Sequence, residues 1–429
     1  MAGATPAKGR SGFAPVLALV LFMLPAPVFA QDFQTSVARA LLLDVGTGTV
    51  LFEKNADETF PPASLAKIMT AEMLFHEISE GRLSLEKELL VSEHAWRTGG
   101  APSRSTAMFA SVNSRIAISD LLKGLTVPSG NDAAIALAEG ISGTEQSFVE
   151  AMNRRVREIG LENSVFINAS GLEPRPQSRT SGARTSGART SGTQAPAVQP
   201  DLPQPHVTAR DMMVLARHII ETYPELYRYF AEPELTWNKI RQQNRNPLLA
   251  MNIGADGFLT GYTEQAGFGL VGSAVQNGQR LIVVISGAAT ARDRDQEARK
   301  LLEWGFRAFE TRELFTAGQT VGEASVYGGE KGSVPLVSSQ PIRVLVQRGS
   351  QERITARIRY RGPLIAPVEK GMATGYLEIS RGSLVSLDMP LVTGEAVAAG
   401  SIPARARDAV LEMGTDTVRR AFEKLMADK

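Results

Sequence analysis

The sequence predicts a mixed α/β (α+β) fold over most of its length, followed by a small β-rich domain and a C-terminal helix. Three observations carry this. Apolar residues recur at helical spacing after Lys67 and again across 118–127 and 132–139. Two apolar runs, 267–275 and 279–286, flank Gln276-Asn277-Gly278, the composition of a hairpin turn. Beyond residue 311, short alternating strands between Gly/Pro turns predominate, as in Ile342-Arg343-Val344-Leu345-Val346 and Ile354-Thr355-Ala356-Arg357-Ile358. A chain of 429 residues is long enough for two domains.

In chain order, residues 1–30 carry Lys8 and Arg10, an apolar run over 16–24, and Val28-Phe29-Ala30 before Gln31. This is the anatomy of a cleavable signal peptide, and its apolar run is too short for a comfortable membrane span. Without Lys8 and Arg10 the net charge changes from +1 to −1, with 44 basic and 45 acidic side chains. A near-neutral surface argues against nucleic acid as a partner.

Ser64-Leu65-Ala66-Lys67 follows Pro61-Pro62-Ala63 and opens the apolar run through Phe75. Positions i and i+3 share a helix face, so Ser64 and Lys67 are expected neighbours. A serine hydroxyl is a poor nucleophile at neutral pH and needs a base within hydrogen-bond reach. A lysine can be that base only if burial or nearby positive charge lowers its pKa. Ala63, Leu65, Ala66, Ile68 and Met69 offer an apolar setting, and a serine in the first helical turn sits beside unpaired N–H groups able to stabilise an oxyanion. Roughly one chance S-x-x-K is expected in a chain this long. Ser84-Leu85-Glu86-Lys87 is such a decoy, set in a short polar connector. Alone, Ser64 also reads as a helix N-cap beside a solvated lysine.

Pro128-Ser129-Gly130-Asn131 breaks the helical patterns of 118–127 and 132–139. A hydroxyl and an amide on such a turn, Ser129 and Asn131, can relay a proton and hold a substrate carbonyl. The same residues are also ordinary turn chemistry. Farther on, Leu259-Thr260-Gly261 follows Asp256-Gly257 and has the form of K-T-G without its lysine. S-x-x-K, S-x-N and K-T-G together make a serine acyl-transfer constellation.

The chain has no cysteine, which excludes disulfides, a thiol nucleophile and thiolate metal sites. Its histidines, His76, His94, His206 and His218, are dispersed without metal-ligand spacing. No cofactor and no metal are expected, and His218 reads as a structural residue on an amphipathic helix.

On these motifs the chain resembles the low-molecular-mass penicillin-binding proteins that act as D-alanyl-D-alanine carboxypeptidases of the bacterial envelope. The resemblance covers nearly the whole chain beyond residue 30. It takes in Leu41-Leu42-Leu43-Asp44 with 46–51 as an opening hairpin, Asn55-Ala56-Asp57, and Pro62-Ala63-Ser64-Leu65-Ala66-Lys67. It continues through Thr208-Ala209-Arg210-Asp211-Met212, Asn244-Arg245-Asn246 and Leu301-Leu302-Glu303-Trp304-Gly305-Phe306. It implies a penicillin-binding/β-lactamase-like domain over 31–311, an antiparallel sheet flanked by helices plus a helical subdomain. A β-rich domain over 312–401, holding the catalytic unit away from the membrane, and an amphipathic helix over 402–429 would follow.

The resemblance also implies roles. Ser64 would be the acylated nucleophile, Lys67 its base, and Ser129 and Asn131 the relay and substrate clamp. Thr260 would bind the substrate's terminal carboxylate, with Gly261 on the same strand, and the backbone N–H groups of Ser64 and Tyr262 would form the oxyanion hole. Leu259 departs from the family's lysine and can neither attract a carboxylate nor tune Lys67, a loss on the order of 10²- to 10³-fold in rate. Arg245 and Arg294 align with positions at the substrate end and could compensate through guanidinium–carboxylate pairing. Alternatively each makes an ordinary ion pair, Arg294 with Asp293 or Asp295.

Residues 175–205, with Arg-Thr-Ser-Gly starting at Arg179, Arg184 and Arg189, have almost no large apolar side chains and read as a disordered insertion. It is either repeat expansion in a tolerant loop or a basic contact for anionic envelope polymers. In 402–429, Val410, Met413, Thr417, Val418, Ala421, Phe422 and Leu425 share a helical face. That face either packs on a domain or makes peripheral contact with the outer face of the cytoplasmic membrane.

The leading expectation is a periplasmic, envelope-located serine carboxypeptidase that removes the terminal D-alanine of peptidoglycan pentapeptide stems and is trapped by β-lactams. The alternative is a catalytically weakened homologue that binds muropeptides or partners and regulates cell-wall synthesis. A β-lactamase would need an efficient deacylation base, for which no local motif is present.

Overall fold

The computed structural model describes residues 33–173, 204–349, 354–381 and 384–403. The expected signal peptide, the expected C-terminal helix beyond residue 403, and all but the last two residues of the 175–205 insertion lie outside them.

The chain opens with the hairpin β1 (Arg39–Asp44) and β2 (Thr49–Lys54), closed by Asp44 Oδ1, which accepts from Thr47 N at 2.8 Å and Thr47 Oγ1 at 2.7 Å. A helical region follows. It comprises α1 (Ala66–Ser79), the short pair β3 (Glu88–Leu90) and β4 (Arg115–Ala117), α2 (Ile118–Thr126), α3 (Asn131–Ser142) and α4 (Glu145–Ile159). After α5 (Ala209–Thr222), α6 (Pro224–Tyr227) and the hairpin β5 (Glu234–Trp237) and β6 (Ile240–Gln243), the chain returns to the sheet. There it forms β7 (Ala255–Gly257), β8 (Thr260–Thr263), β9 (Gly267–Gln276) and β10 (Gln279–Ala288), then α7 (Ala291–Ala308).

The sheet order is β2-β1-β10-β9-β7, all antiparallel, with β8 pairing farther along the same edge of β9. Successive strand residues face opposite sides, and both sides are buried. Leu41, Leu43, Val271, Ile282 and Val284 face the core shared with α1 to α5. Ala40, Leu42, Leu270, Leu281, Val283 and Ile285 face the core under α7, where Leu301, Leu302 and Phe306 pack. This explains the uninterrupted apolar run of β1. The helix of the first motif is wrapped more fully than an amphipathic pattern implies: every residue from Ala66 to Phe75 is buried.

Threonine caps set the helix starts. Thr144, Thr208 and Thr290 accept the N–H three residues on, at Ser147, Asp211 and Asp293. His218 on α5 meets the fully buried Glu72 of α1 at 3.3 Å, beside the Arg155–Glu72 ion pair at 2.9 Å. It therefore sits in an interhelical network.

The second domain contains β11 (Phe309–Phe315), β12 (Thr320–Tyr327), β13 (Ser333–Val337), β14 (Ile342–Gln347), β15 (Ile354–Tyr360), β16 (Leu364–Ile365), β17 (Ala373–Arg381) and β18 (Leu384–Thr393). A two-strand pair, β11-β14, shares one core with the six-strand sheet β15-β17-β18-β13-β12-β16. The element change falls at Ala308 and Phe309, so the expected boundary at residue 311 lies inside β11.

Helix α7 approaches the sheet through Gly305. A Cβ there would stand 2.7 Å from Leu281 Cδ1 and 2.8 Å from Leu42 Cδ2. Gly305→Val is therefore expected to overpack this layer and destabilise the protein by roughly 1–3 kcal/mol. Thermal unfolding should show a lowered midpoint, with Gly305→Ala between it and the parent.

Candidate active site

Ser64 does not occupy α1 itself but the 3-10 turn Ala63–Leu65 that leads into it. Ala63 has φ +49, a left-handed conformation that costs a non-glycine residue roughly 1–2 kcal/mol. Its carbonyl meets the Gly171 loop so closely that a Cβ on Gly171 would lie 1.7 Å from the oxygen. Ser64 remains partly exposed, while Lys67, on the first turn of α1, is wholly buried. Lys67 Nζ lies 3.0 Å from Ser64 Oγ, to which it is hydrogen-bonded, and donates to the Ser170 carbonyl at 2.8 Å.

Burial holds the Lys67 pKa down to about 7, helped by the Arg245 charge and partly opposed by Asp132. A buried ammonium is costly, so the amine is held near the point where it loses its proton. The 244–246 segment explains how Arg245 is presented. Asn244 donates to Glu232 O at 2.8 Å and accepts from Asn246 N at 2.8 Å. Asn246 caps the next 3-10 turn by accepting from Leu248 N at 3.1 Å. Between these two anchors Arg245 binds Val127 O through its backbone N–H at 3.1 Å, and its side chain, partly open to solvent, has no ion pair among the described residues. Partial burial of its guanidinium lowers its pKa.

Ser129 and Asn131 sit on the turn from α2 to α3, both 2% exposed. Ser129 has φ +58, and its carbonyl accepts from Thr106 Oγ1 at 2.9 Å. The Asn131 amide donates to Ser105 Oγ at 2.9 Å. Ser129 Oγ and Asn131 Oδ1 are buried without a partner among the described residues, which leaves hydrogen-bonding capacity for a ligand. Asp132 fixes this turn. Its carboxylate accepts from Met108 N at 2.8 Å, Ala110 N at 3.0 Å and Ala133 N at 3.0 Å. No sequence motif singles out Asp132, which reads only as the start of the 132–139 helical pattern.

Strand β8 lies against the nucleophile turn through Gly261, where a Cβ would stand 3.1 Å from Leu65 Cγ and from Pro62 O. The Leu259 carbonyl accepts from Val271 N at 3.0 Å, and the register continues unbroken from Thr260↔Leu270 to Thr263↔Gly267. By antiparallel alternation, Gly261 and Thr263 turn their backbone groups to β9, while Thr260 and Tyr262 turn theirs to the open edge. The Tyr262 ring, 52% exposed, stacks on Phe268 at 4.2 Å. Leu259 is 1% exposed and belongs to the core around α1. Upstream, Asp256 accepts from Tyr227 OH at 2.7 Å and pairs with Arg280 at 2.7 Å.

Arg294 is engaged by Asp295 at 2.6 Å, the ion-pair alternative of the sequence reading. Sequence reasoning missed the loop Asn168-Ala169-Ser170-Gly171, which supplies the carbonyl bonded to Lys67. Its one sequence signal is Asn-x-x-Gly with small residues between. Among the described residues no group of His, Asp and Glu is placed to hold a metal ion.

Residues 27–290 match the family described as D-alanyl-D-alanine carboxypeptidase, and residues 309–399 match penicillin-binding protein 5, C-terminal domain. The chain is 36% identical over 399 residues to D-alanyl-D-alanine carboxypeptidase DacC of Escherichia coli (strain K12), covering 91% of this chain and 93% of that protein. It is 36% identical over 358 residues to DacA of Haemophilus influenzae, covering 81% and 84%. The crystal structure of penicillin binding protein 5 from Haemophilus influenzae superposes with TM-score 0.73 at 33% identity, over 86% of this chain and 100% of that one.

Lys67 also has a consequence for stability. With its folded pKa lowered to about 7 from 10.5, the unfolded chain binds the extra proton between those values, so stability rises with pH across that window. The burial penalty is fully present below pH 7. Lys67→Met should therefore melt a few degrees above the parent at pH 6, with the margin shrinking toward pH 10 in thermal unfolding scans.

Proposed function

Because this chain belongs to the D-alanyl-D-alanine carboxypeptidase family, we propose that it removes the terminal D-alanine of peptidoglycan pentapeptide stems through an acyl-enzyme on Ser64. The observation that carries the assignment is the fully buried Lys67 amine, 3.0 Å from Ser64 Oγ and poised near neutrality.

In this reading Ser64 Oγ attacks the carbonyl carbon of the penultimate D-alanine as its proton passes to neutral Lys67. The oxyanion is received by the backbone N–H groups of Ser64 and Tyr262. Ser129 relays the proton to the leaving nitrogen, the C–N bond breaks, and D-alanine departs. Water then attacks the ester, returning its proton along the same path and freeing Ser64. Asn131 holds the peptide, and Thr260 and the guanidinium of Arg245, which has no ion pair among the described residues, bind the terminal carboxylate. Arg245 so takes over the attraction that Leu259 lacks, and Arg294, already held by Asp295, is given no substrate role.

β-Lactams acylate the same serine. Residues 1–30 direct the chain to the periplasm, and the C-terminal segment gives peripheral attachment at the membrane surface. A second reading, a weakened homologue that binds muropeptides, is favoured by one observation: Leu259 leaves β8 without a cation.

Intact-protein mass spectrometry with penicillin, followed by a D-alanine release assay, separates them. The expected result is an adduct lost in Ser64→Ala, with release from pentapeptide. An adduct without release, or neither from folded protein, supports the second reading. Acylation should rise with pH through about 7 as Lys67 loses its proton. Arg245→Ala is expected to lower kcat/KM by on the order of 10²-fold on a peptide with a free carboxylate, and far less on the C-terminal amide. Equal losses on both would remove Arg245 from carboxylate recognition.

A further inference from the structure

We propose that Asn168 and Glu145 are positioning residues for the general base, turning the Ser170 carbonyl onto Lys67 Nζ so that the amine's lone pair meets the Ser64 hydroxyl. This rests on the assignment of Lys67 as the base.

The argument is stereochemical. In a trans peptide unit the C=O of one residue and the N–H of the next point in opposite directions, so fixing either group aims the other. Three consecutive units are pinned here. Ala169 N, in the first, donates to Glu145 Oε1 at 3.0 Å. In the second, Ala169 O accepts from Thr70 Oγ1 at 2.7 Å, and Ser170 N donates to Asn168 Oδ1 at 3.2 Å. In the third, Gly171 N donates to the same Asn168 Oδ1 at 2.6 Å, and on its other side Ser170 O accepts from Lys67 Nζ at 2.8 Å. The Asn168 amide closes the loop by donating to Leu172 O at 2.7 Å.

A neutral amine has two N–H donors and one lone pair. With one N–H committed to Ser170 O, rotation about the last side-chain bond is restricted, and the lone pair can be held toward Ser64 Oγ at 3.0 Å. The charges that act on Lys67, Arg245 and Asp132, lie outside this loop. Glu145 Oε2 meets the exposed His94 Nε2 at 3.0 Å, so its second oxygen is occupied as well.

The test is the pH profile of the second-order rate constant for acylation by penicillin, measured per folded molecule. Asn168→Ala should lower the plateau by about 10²-fold, the loss typical of a reacting group displaced by about 1 Å. It should also move the rising limb to lower pH, because an acceptor favouring the charged amine has been released. It leaves the His94–Glu145 pair in place, so a moved limb reports Lys67. Glu145→Ala should act in the same direction, with Glu145→Gln, which keeps the acceptor for Ala169 N, restoring the rate. If Asn168→Ala does not fold, the Glu145 pair decides. Folded Asn168→Ala and Glu145→Ala with unchanged plateau and limb, while Lys67→Ala is inactive, would overturn the proposal. Acylation that survives in Lys67→Ala would instead refute the assignment of the base.

Discussion

An amine without exposed surface, at the start of a helix buried on every side, is the constraint around which this domain is arranged. Lys67 cannot be hydrated as an ammonium ion, and among the described residues no carboxylate lies at hydrogen-bonding distance from it. It is held instead by two oxygens, Ser64 Oγ and the Ser170 carbonyl, and its proton is loosened by burial and by the Arg245 charge. Three separate segments must converge on one nitrogen for this to work. The left-handed backbone at Ala63 and Ser129 is part of that convergence, since both residues lie on turns whose ends are fixed by buried helices. Such strain persists only where the surroundings over-determine it.

How much of this could be read beforehand follows from the range of the forces involved. The Ser64–Lys67 pairing is a matter of helical spacing, the Ser129–Asn131 turn is a local break, and the β9–β10 hairpin is announced by its own turn residues. Asp132 was opaque because its meaning lies in backbone groups elsewhere in the chain, at Met108 and Ala110, and Asn168 because the local loop it braces gains its meaning only from the contact of Ser170 O with Lys67. Ser170 acts through its main chain, for which no side-chain motif exists. Arg294 had two readings until its neighbour Asp295 was seen to hold it, whereas Arg245, set between two asparagines that fix the local backbone, has no ion pair among the described residues.

Leu259 is more integrated than a missing lysine suggests. Its side chain is buried in the apolar core that also takes in the first turns of α1, so the position serves packing. In the proposed mechanism the electrostatic work divides accordingly: the strand supplies backbone donors and packing, and the cation comes from Arg245.

The joint between the two domains has no linker. Helix α7 ends at Ala308 and β11 starts at Phe309. Arg348 N, beyond the end of β14, donates to Ala308 O at 2.9 Å, and Trp304 packs its ring on Phe309 at 5.3 Å. Bending here would unwind the last turn of the helix that seals one face of the catalytic sheet. The β-rich domain is thus joined to the sheet through continuous secondary structure, and a load applied to it would be passed along α7 toward the layer beneath Leu281 and Leu42.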